Sequence, residues 1–287
     1  MPHVYTLEEN YEDIADAIRE KLGVQTTYKP GEMAAAISSI SGGGGNAVWD
    51  PVMQGTGTTI NDGVATSIPN YAYMVGAAGT GLTSTIAAST AFNRITTATF
   101  SEVSSIGNYA MQNWQALQTL NIPKCTQLGT YALFNDTGLT TLNAPLLAMV
   151  SGSSFRNCSS LAEFDQPLAD IHFSSFLGVY VYDQDVFYGC SNLTKARLKP
   201  TMGVGARVFS GCRALTALVL LSESLIVLDN TNAFESTPIA SGTGYIYVRK
   251  SLVDSFKAAN KWSTYASQIR AIEDYSDDGT VNGDIIV

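Results

Sequence analysis

The sequence predicts a mainly β chain with short helices: a solenoid of stacked coils of about 22 residues, preceded by a small N-terminal helical hairpin. Six apolar residues, Ile95, Leu117, Leu139, Leu161, Leu193 and Leu215, follow one another at intervals of 22, 22, 22, 32 and 22, which is a repeat carrying one ten-residue insertion. Six positions before an anchor, Met111, Leu133, Phe155, Phe187 and Phe209 supply a bulky apolar plug in the same register. The first forty residues instead space their apolar groups at helical intervals.

Each coil is too short to bury an apolar face alone, so neighbours must stack into one core. Three residues past each anchor stand Ala98, Leu120, Leu142, Phe164, Ala196 and Leu218, and five past it Phe100, Ile122, Ala144, Gln166, Leu198 and Leu220. That alternation describes a short strand with one inward face. Pro123, Pro145 and Pro167 at the sixth position lack a ladder donor and should end the strand there. Eleven residues past the anchor, Ile106, Leu128, Val150, Val204 and Ile226 give a second apolar rung.

The segments Phe155-Arg156-Asn157-Cys158-Ser159-Ser160-Leu161, Phe187-Tyr188-Gly189-Cys190-Ser191-Asn192-Leu193 and Phe209-Ser210-Gly211-Cys212-Arg213-Ala214-Leu215 resemble the BspA-like class of leucine-rich repeats, and Ala233-Phe234-Glu235-Ser236-Thr237-Pro238-Ile239 looks like a shortened member. The resemblance covers about residues 92 to 273. It lapses at Gln166, where the pattern expects an apolar residue, and over 168–184, which is either a bulge or a functional decoration. The run Tyr245-Ile246-Tyr247-Val248 reads as a final strand, followed by Leu252, Phe256, Ala259 and Trp262 on one helical face. This strand-helix end, 244–273, resembles the close of BspA-like arrays and would cap the last rung.

In the N-terminal segment, 1–40, Thr6 and Glu9 form a capping-box pattern, and Leu7, Tyr11, Ile14, Ile18 and Leu22 trace a stripe that stops at Gly23. A second helix is expected from Pro30, with Met33, Ile37 and Ile40 on its buried side. Acidic residues outnumber Arg19 and Lys21 in the first helix, which argues against a DNA-reading helix-turn-helix. The wording Asp13-Ile14-Ala15-Asp16-Ala17-Ile18-Arg19-Glu20-Lys21 and Thr27-Tyr28-Lys29-Pro30-Gly31-Glu32-Met33-Ala34-Ala35-Ala36-Ile37 resembles N-terminal segments of phage and prophage structural proteins. That resemblance implies attachment to a particle through Leu7, Tyr11, Ile14, Ile18, Met33 and Ile37. A Gly-rich linker at 41–46 and an irregular cap with one degenerate coil at 47–91, with candidate strands near Thr59-Ile60 and Thr83–Ile86, would join hairpin to solenoid.

Composition narrows the function. A net charge of −9 over 287 residues gives no basic footprint for a phosphate backbone, so nucleic acid is not an expected partner. No stretch of eighteen apolar residues and no export-signal pattern occurs, so neither membrane insertion nor Sec-type export is expected from the sequence as it stands. There is no G-x-S-x-G elbow, P-loop, H-E-x-x-H or dinucleotide fingerprint, and only His3 and His172 are available as imidazoles. We expect no catalytic residues and no cofactor. Cys125, Cys158, Cys190 and Cys212 form no Cys-x-x-Cys pair, so free structural thiols are expected rather than a metal site. Asp183 with Asp185 could flank a glycosidic bond, but solvated loop charge is the favoured reading. The tail 274–287 starts like a calcium loop yet has Ile285 at the twelfth position, so a solvated acidic terminus is expected.

The insertion crowds His172, Phe173, Phe176, Tyr180 and Tyr182 into a segment the coil does not need. Phe173 and Phe176 are expected to pack down on the solenoid, leaving His172, Tyr180 and Tyr182 as contact candidates for protein or glycan. The two resemblances together imply a non-enzymatic phage virion appendage of tail, baseplate or head. It would be a homo-oligomer with a trimer favoured, touching other virion proteins and a host-surface protein or glycan. The alternative is a BspA-like bacterial surface or secreted adhesin.

Overall fold

The computed structural model describes residues 59–62, 67–68, 94–171, 173–176, 179–182 and 184–274, with backbone only for 59–62, 67–68 and the segments between 173 and 182. The helical hairpin expected at 1–40, with Leu7, Tyr11, Ile14, Ile18, Met33 and Ile37, lies outside the described residues, as do the candidate strand at Thr83–Ile86 and the tail beyond Asp274.

Each coil lays down one front strand, one short back strand and a turn. The front strands are β1 (Thr59–Asp62), β3 (Thr97–Phe100), β5 (Thr119–Asn121), β7 (Thr141–Asn143), β9 (Glu163–Asp165), β13 (Lys195–Leu198), β15 (Ala217–Leu220), β17 (Tyr245–Val248) and β18 (Ile269–Ala271). The back strands are β2 (Ser67–Ile68), β4 (Ser105–Ile106), β6 (Gln127–Leu128), β8 (Met149–Val150), β10 (Asp170–Ile171), β14 (Gly203–Val204) and β16 (Val227–Leu228). All pairings within these two faces are parallel. Register follows the repeat, with Thr97 opposite Thr119 and Thr119 opposite Thr141.

The prolines set strand length as expected. β5, β7 and β9, which precede Pro123, Pro145 and Pro167, stop after three residues, while β3, β13 and β15 have no such proline and run to four.

The core lies between the two faces. All six anchors are buried, as are the plugs Met111, Leu133, Phe155, Phe187 and Phe209. Phe155, Phe187, Phe209 and Phe234 stack face to face at 5.4, 5.3 and 5.9 Å, so from Phe155 onward the column is a continuous aromatic rod. Phe234 then meets Tyr265 edge-on at 5.1 Å.

In five successive coils the turn closes with two left-handed residues four apart: Tyr109 and Asn113, Tyr131 and Asn135, Ser153 and Asn157, Asp185 and Gly189, Arg207 and Gly211. Asn and Gly recur at the second position because they enter this region with the least strain. At Gly189 the requirement is double, since φ is +75° and a Cβ there would stand 2.5 Å from the Asn157 Oδ1.

Three of the four cysteines form a column at the third position before the anchor. Cys158, Cys190 and Cys212 donate to the carbonyls of Leu133, Phe155 and Phe187, the plugs of the preceding coils, at 3.1, 3.0 and 3.1 Å. All four thiols are free and buried, and desolvation pushes the Cys125 thiol up to about 11, which disfavours the reactive thiolate. In the coil before Cys158 the same position holds Asp136, fully buried, whose Oδ1 accepts from the Trp114 amide at 2.7 Å.

The C-terminal cap differs from a plain strand and helix. The helix stops at Ala258, Lys261 turns left-handed, and Trp262 falls in a separate 3-10 segment, Trp262–Gln268. The cause is anchorage to the last coil: the Trp262 Nε1 donates to the Ile226 carbonyl at 2.8 Å and the Tyr265 hydroxyl to the Thr231 carbonyl at 2.7 Å. Beyond it lies β18, parallel to β17, which sequence periodicity did not indicate.

Within 168–184, Asp170 and Ile171 still belong to the back sheet, paired with Met149 and Val150. The extra residues form an antiparallel hairpin, β11 (Phe173–Phe176) with β12 (Val179–Tyr182), in which Phe173 faces Tyr182 and Ser175 faces Tyr180. Gln166, an anomaly in the apolar pattern, is buried all the same.

Candidate functional site

A stacked-coil scaffold exposes whatever stands between its buried rungs, so the front sheet displays the second and fourth residues past each anchor. From the N-terminal side these are Thr97 and Thr99, Thr119 and Asn121, Thr141 and Asn143, then Glu163 and Asp165, Lys195 and Arg197, and Ala217 and Val219. The strip therefore has three zones.

The first zone is uncharged hydroxyls and amides in register, knit by a bond from the Asn121 Nδ2 to the Thr99 Oγ1 at 3.0 Å. The backbone of β1 extends the pattern, Thr59 opposite Thr97 and Asn61 opposite Thr99. The second zone is charged and internally matched. Glu163 stands beside Lys195 in register, and the Arg197 guanidinium donates to Asp165 at 3.3 Å. Both carboxylates are exposed, so these contacts set charge pattern rather than stability. The third zone is covered: Ile272, after β18, packs over Ala217, Val219 and Tyr247, and the Arg270 guanidinium lies 3.2 Å from the centre of the Tyr245 ring. The cap thus closes both the end of the solenoid and the end of its display face.

The hairpin leaves the coil after Ile171 and the chain returns at Asp185. Asp185 is buried, accepts from the Arg156 guanidinium of the coil before at 2.9 Å, and takes two bonds from Arg207 of the coil after at 2.8 and 3.0 Å. Arg156 also lies 4.6 Å over the Tyr188 ring. A carboxylate held between two coils this way fixes where the hairpin re-enters the stack. Of the expected contact residues, Tyr180 and Tyr182 occupy alternate positions of β12, their side chains lying outside the described residues together with all of His172. The corner between front and back strands adds Leu146 and Leu168, equivalent positions of adjacent coils, both about half exposed at 48% and 53%.

The display positions fall between the apolar rungs, in the register that the buried anchors do not mark. The signal was present: the same 22-residue spacing read two and four places past each anchor returns Thr, Thr, Thr and Thr, Asn, Asn before the charges begin. Asp183 lies outside the described residues, and Asp185 is committed to its two arginines. Among the described residues no three His, Cys, Asp or Glu side chains converge as a metal site, and no helix is long and apolar enough to cross a membrane.

Parallel coils of this length, one strand per coil on the display face and an aromatic rod inside, define a leucine-rich-repeat scaffold. The chain belongs to the family described as BspA type leucine rich repeat region, whose six-copy model matches residues 85–179 and 166–243, more than half of the chain. Among solved structures it is similar to a leucine rich repeat protein of T. pallidum, at 18% identity over 44% of this chain and 67% of that one, with a TM-score of 0.33. It is also similar to a leucine-rich repeat protein of Bacteroides ovatus (18% identity, 52% of this chain and 48% of that one, TM-score 0.31) and to a leucine rich cell surface protein of Faecalibacterium prausnitzii (21%, 47% and 41%, 0.32). The chain spans less than half the length of these last two. No curated protein matches it. The matching family is a repeat region, and none of the three comparisons bears on the phage resemblance of residues 1–40.

Proposed function

We propose that this chain is a non-enzymatic recognition module of the surface-adhesin kind, binding a protein or glycan through its front sheet and the hairpin between 173 and 182. The observation that carries the reading is the display strip itself: exposed and in register within each of its first two zones, over which no described element lies, while the third is sealed by the chain's own cap. Membership in the BspA type family supports it. His172, Tyr180 and Tyr182 are the proposed contact positions on the hairpin. No cofactor enters the proposal.

The expected result is that replacing both Tyr180 and Tyr182 by Ala lowers retention on the target surface at least tenfold, about 1.4 kcal/mol, since tyrosines at interface centres carry costs of this order. Thermal unfolding should stay within about 2 °C of the parent. Glycan arrays and intact bacterial or epithelial cells are the surfaces to assay; unchanged retention on a surface the parent binds removes the hairpin from the site.

The particle-attachment form of the proposal, with residues 1–40 docking on a virion as a trimer, is separated from the adhesin by solution mass. Light scattering of the full chain and of a chain starting at Asn46 should give the same monomeric state for an adhesin. An oligomer that falls to a monomer when Leu7, Tyr11, Ile14, Ile18, Met33 and Ile37 are removed would favour the virion form instead.

A further inference from the structure

One joint of the front sheet is open. At five others the same bonds recur: the Thr119 amide donates to the Thr96 carbonyl, Thr141 to Gln118, Thr194 to Ala162, Ala217 to Thr194 and Tyr245 to Thr216. Between β7 and β9 the equivalent bond, from Ala162 or Glu163 to the Thr140 carbonyl, is absent. So is the bond from the Ala144 amide to the Asp165 carbonyl, although Ile122 makes it to Asn143 and Gln166 makes it to Arg197. No ladder joins the two strands, and the front face divides into the sheets β1-β3-β5-β7 and β9-β13-β15-β17-β18.

Elsewhere these coils are tightly joined. Met149 and Val150 pair with Asp170 and Ile171 on the back, and the Leu133 and Asn135 amides donate to Ser154 and Arg156 in the turn. The opening is therefore a wedge confined to the display face. Burial agrees: Leu142 is only half-buried, whereas Ala98, Leu120, Ala196 and Leu218 at the same position are fully buried. Thr141, Asn143, Glu163 and Asp165 are exposed where the rungs of β3, β5 and β13 are half-buried.

Two sequence features account for it. Phe164 replaces the Ala or Leu of the other coils and wedges edge-on between Phe155 and Phe187 at 5.3 and 4.8 Å. Ala162 lacks the hydroxyl that reinforces three other joints, Thr140 to the Gln118 carbonyl at 3.0 Å, Thr194 to Ala162 at 2.9 Å and Thr216 to Thr194 at 3.3 Å; Gln118 lacks it too and its joint closes, so the gap opens where the missing hydroxyl and Phe164 coincide.

We infer that the β7/β9 seam receives an extended peptide strand from a protein partner, which pairs its backbone with the edges of β7 and β9. An open strand edge presents unpaired amides and carbonyls at strand spacing, which an extended backbone can pair in series. The flanking side chains select its character: Thr141 and Asn143 are uncharged, Asp165 is already paired with Arg197 and Glu163 stands beside Lys195 in register, so the strand is uncharged where it faces them. The inference narrows the proposed recognition surface to a peptide-binding one, and the seam is testable whether or not the module adheres to cells.

The test is amide exchange by NMR on the full chain. Free, the Ala144 and Glu163 amides are expected to exchange at least about a hundredfold faster than Ile122, Thr141 and Gln166, their bonded equivalents. The probe is a capped synthetic peptide of residues 137–145, an uncharged strand of this same repeat. At about millimolar concentration it should slow Ala144 and Glu163 at least tenfold and leave Ile122 unchanged, while the peptide N-methylated at alternate residues should do neither. Ala162→Thr restores the missing hydroxyl on an exposed site and should slow both amides without peptide. Protection of Ala144 and Glu163 in the free protein overturns the inference, as does no slowing by the peptide or equal slowing by its N-methylated form.

Discussion

Phe187→Ala is expected to destabilise the protein by roughly 3–5 kcal/mol. Phe187 is fully buried at the middle of the aromatic rod, stacked on Phe155 and Phe209 and struck edge-on by Phe164. Removing the ring leaves a cavity that cannot collapse, because the backbone on either side is held by bonds to adjacent coils: the Phe155 amide to Val186, and the Phe187 amide to Val208. In a solenoid each coil touches only its neighbours, so the damage should spread along the stack as lost coupling between the coils before and after. Urea unfolding followed by tryptophan fluorescence measures it, since Trp114 and Trp262 report from the two sides of the deletion. A loss below about 1 kcal/mol, with both tryptophans still unfolding together, would contradict a rod of this kind.

Asp136→Asn is expected to stabilise the protein at neutral pH by about 1–3 kcal/mol. Burial pushes the Asp136 carboxyl well above the usual carboxylate range, and only partly do the amide bonds at Trp114 and Asn113 offset this. Its Oδ2 is buried with no partner among the described residues. A carboxyl raised in this way binds its proton more tightly folded than unfolded. Its contribution is therefore fully present below about pH 4, the unfolded value, and is lost as pH climbs from there toward the folded value, at about 1.4 kcal/mol per unit of difference. Asparagine keeps the acceptor for the Trp114 amide and removes the charge. Denaturation of parent and variant at pH 4, 5.5 and 7 should show the gap in favour of the variant widening with pH. A gap that does not change across that range would mean the carboxyl is not desolvated as the fold requires.

The two sites differ in how visible they were. Phe187 was legible as a plug from its place six residues before Leu193. Asp136 was not, because its column is defined by Cys158, Cys190 and Cys212 and a carboxylate in that register looks like an exposed turn residue until the packing is seen. The hairpin is similar. An insertion of ten residues with crowded aromatics was plain in the spacing, but that it pairs antiparallel with itself and re-enters through Asp185 depends on Arg156 and Arg207, 29 residues before and 22 after.

Read alone, the sequence determined the coil length, the anchors, the plug column, the strand stops at proline and the family of repeat, because each is a local residue choice recurring at a fixed period. Tertiary structure alone decided where the ladder fails between β7 and β9, that β18 follows β17, and that Ile272 folds back over the display face. Those features come from how one coil's side chains meet the next, Phe164 against Phe155 and Phe187 or Trp262 against the Ile226 carbonyl, and contacts of that range leave no periodic mark along the chain.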